Sequence, residues 1–162
     1  MGPYGAYLEI GGKLIAEGTI EEPIVFTGYG GGSWGGLTFS ATNQNSILKN
    51  VIVEYGGIWN PYWGIWGAIS VAGSSIEFIN SLSASSSEAG IYLENSSSTI
   101  QNSRFENNKT GIMIVGAEPE PQLIDNVFSG NQCDICWPTN KTRCEAMATS
   151  SPELIIKCDS CP

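Results

Sequence analysis

Apolar and polar residues alternate in short runs along almost the whole chain. Leu8 and Ile10, Leu37 and Phe39, Ile91 and Leu93, and Ile112 and Ile114 each stand two apart. That is the spacing of a strand with one face turned inward. No window sustains a 3.6-residue period, and the leucines do not recur at a leucine-rich-repeat spacing, so the pattern predicts an all-β protein. In the first stretch it predicts strands near Leu8–Ile10, Leu14–Ala16 and Ile24–Phe26.

The runs themselves recur. A glycine precedes the apolar alternation at Gly5, Gly36, Gly67, Gly90 and Gly111, and Asp134 takes that place before "ICW". The intervals are 31, 31, 23, 21 and 23 residues, which is the signature of a solenoid. The later halves of the units, "LKNVIV" (48–53), "FINSLS" (78–83), "IQNSRF" (100–105) and "LIDNVF" (123–128), align without gaps. They define an apolar column (Leu48, Phe78, Ile100, Leu123), a polar column (Asn50, Asn80, Asn102, Asp125) and a third column (Val53, Ser83, Phe105, Phe128). Asparagine tolerates the left-handed backbone of a tight turn. The polar column is therefore expected at an inward turn, bonding coil to coil.

The stretches "GGKLIAEGTIEEPIVFTG" (11–28), "WGGLTFS" (34–40) and "ILKNVIVEYGG" (47–57) resemble the opening section of secreted right-handed parallel β-helix proteins of the pectate-lyase-like superfamily. The resemblance covers roughly residues 5–137. It implies three short strands per coil, about five to six coils, and a rod about 25–30 Å long at a spacing of about 4.8 Å. It also implies a surface location, and it leaves activity open, because the family includes enzymes, adhesins and inert scaffolds. Similar proteins carry further coils before "AYLEI", so the first coil is expected to need a partner or cap. "MGPYG" runs straight into the first strand without the pattern of a signal peptide.

Composition narrows the partners. Charged residues make up 14% of the chain and the net charge is −9, which argues against nucleic acid and against an anionic membrane surface. No apolar run approaches the roughly 20 residues of a membrane span. The expected partners are copies of the chain or another surface protein, with polysaccharide as an alternative.

All five cysteines, Cys133, Cys136, Cys144, Cys158 and Cys161, fall in the last 30 residues. Two readings stand: disulfides stapling a tail without a core of its own, or a four-thiolate zinc site built from two Cys-x-x-Cys pairs. Apart from that alternative no metal or cofactor is expected. The odd thiol is either free or available to another chain. The division predicted is a β-helix over 1–137 and a Cys-rich capping tail over 138–162, whose apolar burst Leu154–Ile156 crosses the end of the rod. Three N-x-S/T sequons, at Asn95, Asn108 and Asn140, are glycosylation candidates, with Asn108 and Asn140 expected in turns or loops.

Histidine is absent, which removes Ser-His-Asp and Cys-His catalysis and histidine-ligated metals. Asp125, Asp134 and Asp159 are scattered, and Arg104 is expected to point outward beside Glu106. Glu54 and Glu106 share an outward column with Ala84 between them, two coils apart, so a solvated face is expected there rather than a glycosidase pair. No catalytic residue is assigned. One surface feature stands out. Loops "GYGGGSW" (28–34) and "GGIWNPYWGIW" (56–66) are expected at the same corner of adjacent coils, gathering Tyr29, Trp34, Tyr55, Trp59, Tyr62, Trp63 and Trp66 on one ridge. Such rings serve as a local core, a sugar platform or a protein contact. Two function classes follow: a non-catalytic surface or structural protein that assembles end to end into filaments or belongs to a larger adhesin, and a carbohydrate-binding or polysaccharide-degrading module.

Overall fold

The computed structural model describes residues 6–40, 44–58, 66–116 and 118–162. Among the described residues, seventeen strands, one α-helix and a 3-10 turn are arranged around stacked coils. The first coil holds β1 (Tyr7–Ile10), β2 (Ile15–Glu17) and β3 (Ile24–Phe26), and the second β4 (Gly36–Ser40), β5 (Ser46–Lys49) and β6 (Val51–Glu54). The third holds β7 (Gly67–Ala72), β8 (Ile76–Ile79) and β9 (Leu82–Ala84), and the fourth β10 (Ala89–Glu94), β11 (Thr99–Gln101) and β12 (Arg104–Glu106). The fifth holds β13 (Thr110–Val115), β14 (Gln122–Ile124) and β15 (Val127–Ser129). Strand β16 (Cys133–Cys136) opens a sixth, followed by α1 (Lys141–Ser150) and β17 (Ile156–Lys157).

Corresponding strands pair in parallel to form three sheets, ordered β1-β4-β7-β10-β13-β16-β17, β14-β11-β8-β5-β2 and β15-β12-β9-β6-β3. The three sheets enclose one core. In the first sheet Leu8, Leu37, Ile69, Ile91, Ile112, Ile135 and Ile156 form an inward column. The second contributes Ala16, Leu48, Phe78, Ile100 and Leu123, and the third Phe26, Val53, Ser83, Phe105 and Phe128. Phe105 is fully buried and stacks on Phe128 with ring centroids 5.2 Å apart. The gap-free alignment of the later half-units is thus the observed register.

The glycine phase needs correction. Ile69 stacks between Leu37 and Ile91, so Ala68, not Gly67, takes the slot of Gly36 and Gly90. In the first coil that slot belongs to Tyr7, and Gly5 lies outside the described residues. Register is set by the apolar side chain that fills the inner column; a glycine appears only where backbones crowd. At Gly36, with φ +101°, a Cβ would lie 2.3 Å from the Ala68 carbonyl oxygen.

The polar column also differs from expectation. Asn50, Asn80, Asn102 and Asp125 do adopt left-handed backbone, with φ of 50°, 50°, 50° and 51°. Yet Asn80, Asn102 and Asp125 are exposed. The left-handed residue turns the chain, and the residue after it faces inward. There Val51 N donates to Ser81 Oγ (3.0 Å), Ser81 N to Ser103 Oγ (3.1 Å) and Ser103 N to Asn126 Oδ1 (3.0 Å). A second ladder runs up the next corner, where Ser86 N donates to Asn108 Oδ1 and Asn108 N to Asn131 Oδ1, both at 2.9 Å. Each side chain satisfies a buried amide that no strand reaches.

The tail joins the rod rather than hanging from it. Strand β17 extends the first sheet, pairing Ile156 with Ile135 and Lys157 with Cys136. Asn140 caps α1, its side chain accepting from Arg143 N at 3.2 Å. Cys144, Met147, Leu154 and Ile156 pack against the core at that end. The helix has no apolar stripe that a periodicity search would find; its cap and the Cys144–Cys158 disulfide hold it in place.

Candidate functional site

The aromatic corner lies where β3 hands over to β4 and β6 to β7. The first loop tightens into a 3-10 turn, Tyr29–Gly31, with Gly30 and Gly31 at φ 63° and 74°, a conformation that the glycine run permits. Trp34 leaves this loop and locks onto the coil above. Its amide donates to Tyr55 O (3.0 Å), its indole Nε1 to Glu54 O (2.8 Å), and its carbonyl accepts from Ile58 N (3.3 Å). Its ring packs against the core. Trp34 is therefore a clamp between loops.

The other rings diverge. Tyr29 is fully exposed, and Tyr55 and Trp66 stand at 37% and 36% exposure. Trp66 stacks on Tyr92 of the following coil, with centroids 5.9 Å apart and planes 26° from parallel. Trp59, Tyr62 and Trp63 lie outside the described residues. Tyr92 escaped the sequence analysis because it stands in a separate unit; the signal was its outward slot in "GIYLE". Its hydroxyl donates to Glu94 Oε2 at 3.2 Å. Burial, and next the Glu94 carboxylate, push its phenol well above the ordinary tyrosine range.

The acidic and basic residues singled out in the sequence lie on different parts of the rod. Arg104 pairs with Glu106 on the outside of the third sheet. Glu54, Ala84 and Glu106 share one column, as the alignment predicts. Asp134 is buried, accepting from Asn131 Nδ2 (3.1 Å) and from Ile155 N (2.8 Å). It ends the Asn108 ladder and receives the tail, which is structural work. A groove runs along another corner, past Thr19, Ile20 and Pro23, with Asn50, Asn80, Ile52 and Leu82 along it and Arg104 beyond.

The cysteines form two disulfides, Cys136–Cys161 and Cys144–Cys158. Those four sulfurs are consumed in pairs and do not present a thiolate tetrad. Cys133 is the free thiol, and it is fully buried beneath the tail. Burial, followed by the Asp134 carboxylate, pushes its pKa up to about 11. It is not available to another chain, contrary to one expectation for the odd cysteine. Among the sequons, Asn95 is exposed and Asn140 is half-buried at the helix cap. Asn108 does not sit in an open loop: it is 2% exposed and its Nδ2 donates to Ser83 O at 3.0 Å. The inner ladder takes the amide that a glycan would need. No helix among the described residues is long and apolar enough to cross a membrane.

A family model described as "Right handed beta helix region" matches residues 1–154, so the match runs through α1 into the tail. No curated protein and no solved structure matches the chain.

Proposed function

The chain belongs to the right-handed β-helix family, and from that premise we propose that it is a non-catalytic structural module of the cell surface or extracellular space. The reading rests chiefly on the pair of buried side-chain ladders that tie coil to coil. They suit a stiff rod that holds its flanks at fixed spacing. Ser81, Ser103, Asn108, Asn126 and Asn131 are committed to backbone bonds, and the chain has no histidine to serve as a general base. The two disulfides support an oxidising compartment, and Asn95 is exposed where a glycan would attach, with Asn140 half-buried at the cap of α1. Growth from head to tail into filaments would have to engage α1 and β17, which pack over the last coils.

The Trp66–Tyr92 pair favours a second reading, a polysaccharide contact, since stacked rings offer a flat face to a sugar. One experiment separates the two. The chain is titrated with a panel of acidic and neutral polysaccharides while tryptophan fluorescence and new reducing ends are followed. The structural reading expects neither signal. Saturable quenching moves the assignment to carbohydrate binding, and released reducing ends move it to an enzyme.

A further inference from the structure

The tail and the strand it lies on are held by different means. In β16 and the residue after it, Cys133, Asp134, Ile135, Cys136 and Trp137 are all buried. Among the described side chains of 138–162, Cys144 alone is buried. Met147, Leu154 and Ile156 meet the core only in part. Strand β17 is short, pairing Ile156 and Lys157 with β16. Helix α1 has ten residues, with no acidic residue in its first turn and no basic residue in its last. Isolated helices below about 12–15 residues are marginal in water, so α1 depends on what fastens it. Arg143 reaches back to Glu120 of the rod at 3.2 Å, but its side chain is largely exposed, and such pairs contribute little.

The covalent ties are concentrated on this weak segment. Cys136–Cys161 joins β16 to the far side of the tail across 25 residues, and Cys144–Cys158 joins α1 to the stretch after β17 across 14. Each restrains the loop it closes. Neither reaches the five complete coils, which the parallel sheets and the buried ladders hold. The ladder also ends without help from the tail. If Ile155 N leaves Asp134, the carboxylate still accepts from Asn131 Nδ2.

We propose that the tail is a thiol-operated latch: a dithiol reductant that opens both disulfides releases α1 and β17 from β16 while the coils stay folded. Cys158 and Cys161 are half-buried, whereas their partners Cys144 and Cys136 are buried, so attack comes at the outer sulfurs. A thiolate of the reductant displaces the inner sulfur, and its second thiol resolves the mixed disulfide. Each protein disulfide thereby gains two electrons and two protons, and one dithiol becomes a disulfide. Release uncovers Cys133, whose sulfur lies 3.4 Å from Ile155 O, together with Leu123 and Phe128 beneath Met147 and Leu154. The latch goes beyond the structural reading and stands whichever way the polysaccharide titration falls.

The test uses the full, oxidised chain and dithiothreitol. After graded reduction and rapid desalting, a brief pulse of thiol reagent is given under native conditions, and labelled cysteines are mapped by peptide mass. The oxidised chain should label nowhere. Once both disulfides open, Cys133 should label with the other four. Hydrogen exchange should then show the amides of Asp134, Ile135 and Trp137 losing protection and those of Ser81, Ser103 and Asn108 keeping it. Cys133 still protected while Cys158 and Cys161 label means that packing alone holds the tail, and the proposal fails. It fails equally if protection is lost at Ser81 and Ser103 together with β16, or if no dithiothreitol concentration opens the disulfides while the coils stay folded. The combined variant Cys136→Ser, Cys161→Ser needs no reductant. Its Cys133 should label at least about tenfold faster than in the oxidised parent, because the longer closed loop is gone. An unchanged rate in folded variant overturns the latch, and the reductant series decides the matter if the variant does not fold.

Discussion

Asn108 Oδ1 lies 2.9 Å from the amide of Ser86, one coil earlier, and accepts its proton. The same side chain donates from Nδ2 to Ser83 O at 3.0 Å. One buried amide group thus satisfies two backbone groups that the strands leave over. Asn108→Ala orphans both and should lower stability by about 2–4 kcal/mol, read by urea unfolding, because each unsatisfied buried group costs about 1–3 kcal/mol. Asn108→Ser keeps a short acceptor, as Ser81 and Ser103 do at the other corner, and should lose less.

The ladder also decides which sequons are usable. Secreted from a host that adds N-linked glycans, the folded protein should carry them at Asn95 and Asn140 and not at Asn108, as peptide mass mapping would show. Thr110, the hydroxyl residue of the Asn108 sequon, is buried with no hydrogen-bond partner among the described residues. Thr110→Val should therefore fold and raise the secreted yield. A glycan on Asn108 of correctly folded protein would contradict the buried ladder.

Phe105 lies in the third inward column between Ser83 and Phe128, and Phe78 of the second column lies against its ring. Truncation to alanine leaves a cavity under two rings and should cost about 3–5 kcal/mol. A melting temperature equal to that of the parent protein would mean that the register is wrong.

The aromatic corner should divide into structural and idle residues. Trp34→Phe loses the Nε1 bond to Glu54 O and part of the core contact, at about 1–2 kcal/mol. Tyr29→Ala removes a fully exposed ring and should fall within about 0.5 kcal/mol of the parent. Equal effects in thermal melts would remove the distinction.

Cys133 gives a pH dependence with a definite sign. Its thiol titrates at about 11 in the fold, against an ordinary value of 9.0. The folded state then holds a proton that the unfolded state releases, so its contribution is complete below about pH 9 and is lost as pH rises toward 11. Urea midpoints across that window should fall less for Cys133→Ala than for the parent. A thiol reagent added below pH 9 to folded, unreduced protein should label nothing, and a chelator should leave the circular dichroism unchanged.

Much of this architecture was legible in the residues because a solenoid repeats its physics. Leu48, Phe78, Ile100 and Leu123 share one environment, so the same residue class returns at the same place. The asparagine turns were legible for a similar reason: few residues accept φ near 50° without strain. Their direction was not, because sequence spacing does not say which of two neighbouring residues, Asn102 or Ser103, faces the core. Serine in that inner slot is also an ordinary turn residue, so its type alone does not mark the ladder. Helix α1 was hidden because a helix held by a cap and a disulfide needs no apolar stripe. The aromatic corner was only half legible, since Tyr29 and Trp34 are five residues apart in one loop yet differ in whether a carbonyl lies within reach.

The tail closes over Cys133, whose sulfur lies 3.4 Å from Ile155 O. A chain made from its N-terminus lays down the coils in order and reaches this segment after them. Until Ile155 and Ile156 settle onto β16, that thiol stays open to solvent, and afterwards it does not. The molecule therefore carries its own clock: the moment Cys133 stops reacting marks the docking of the tail on β16, and pulse labelling of nascent or refolding chains would time that moment without any added probe.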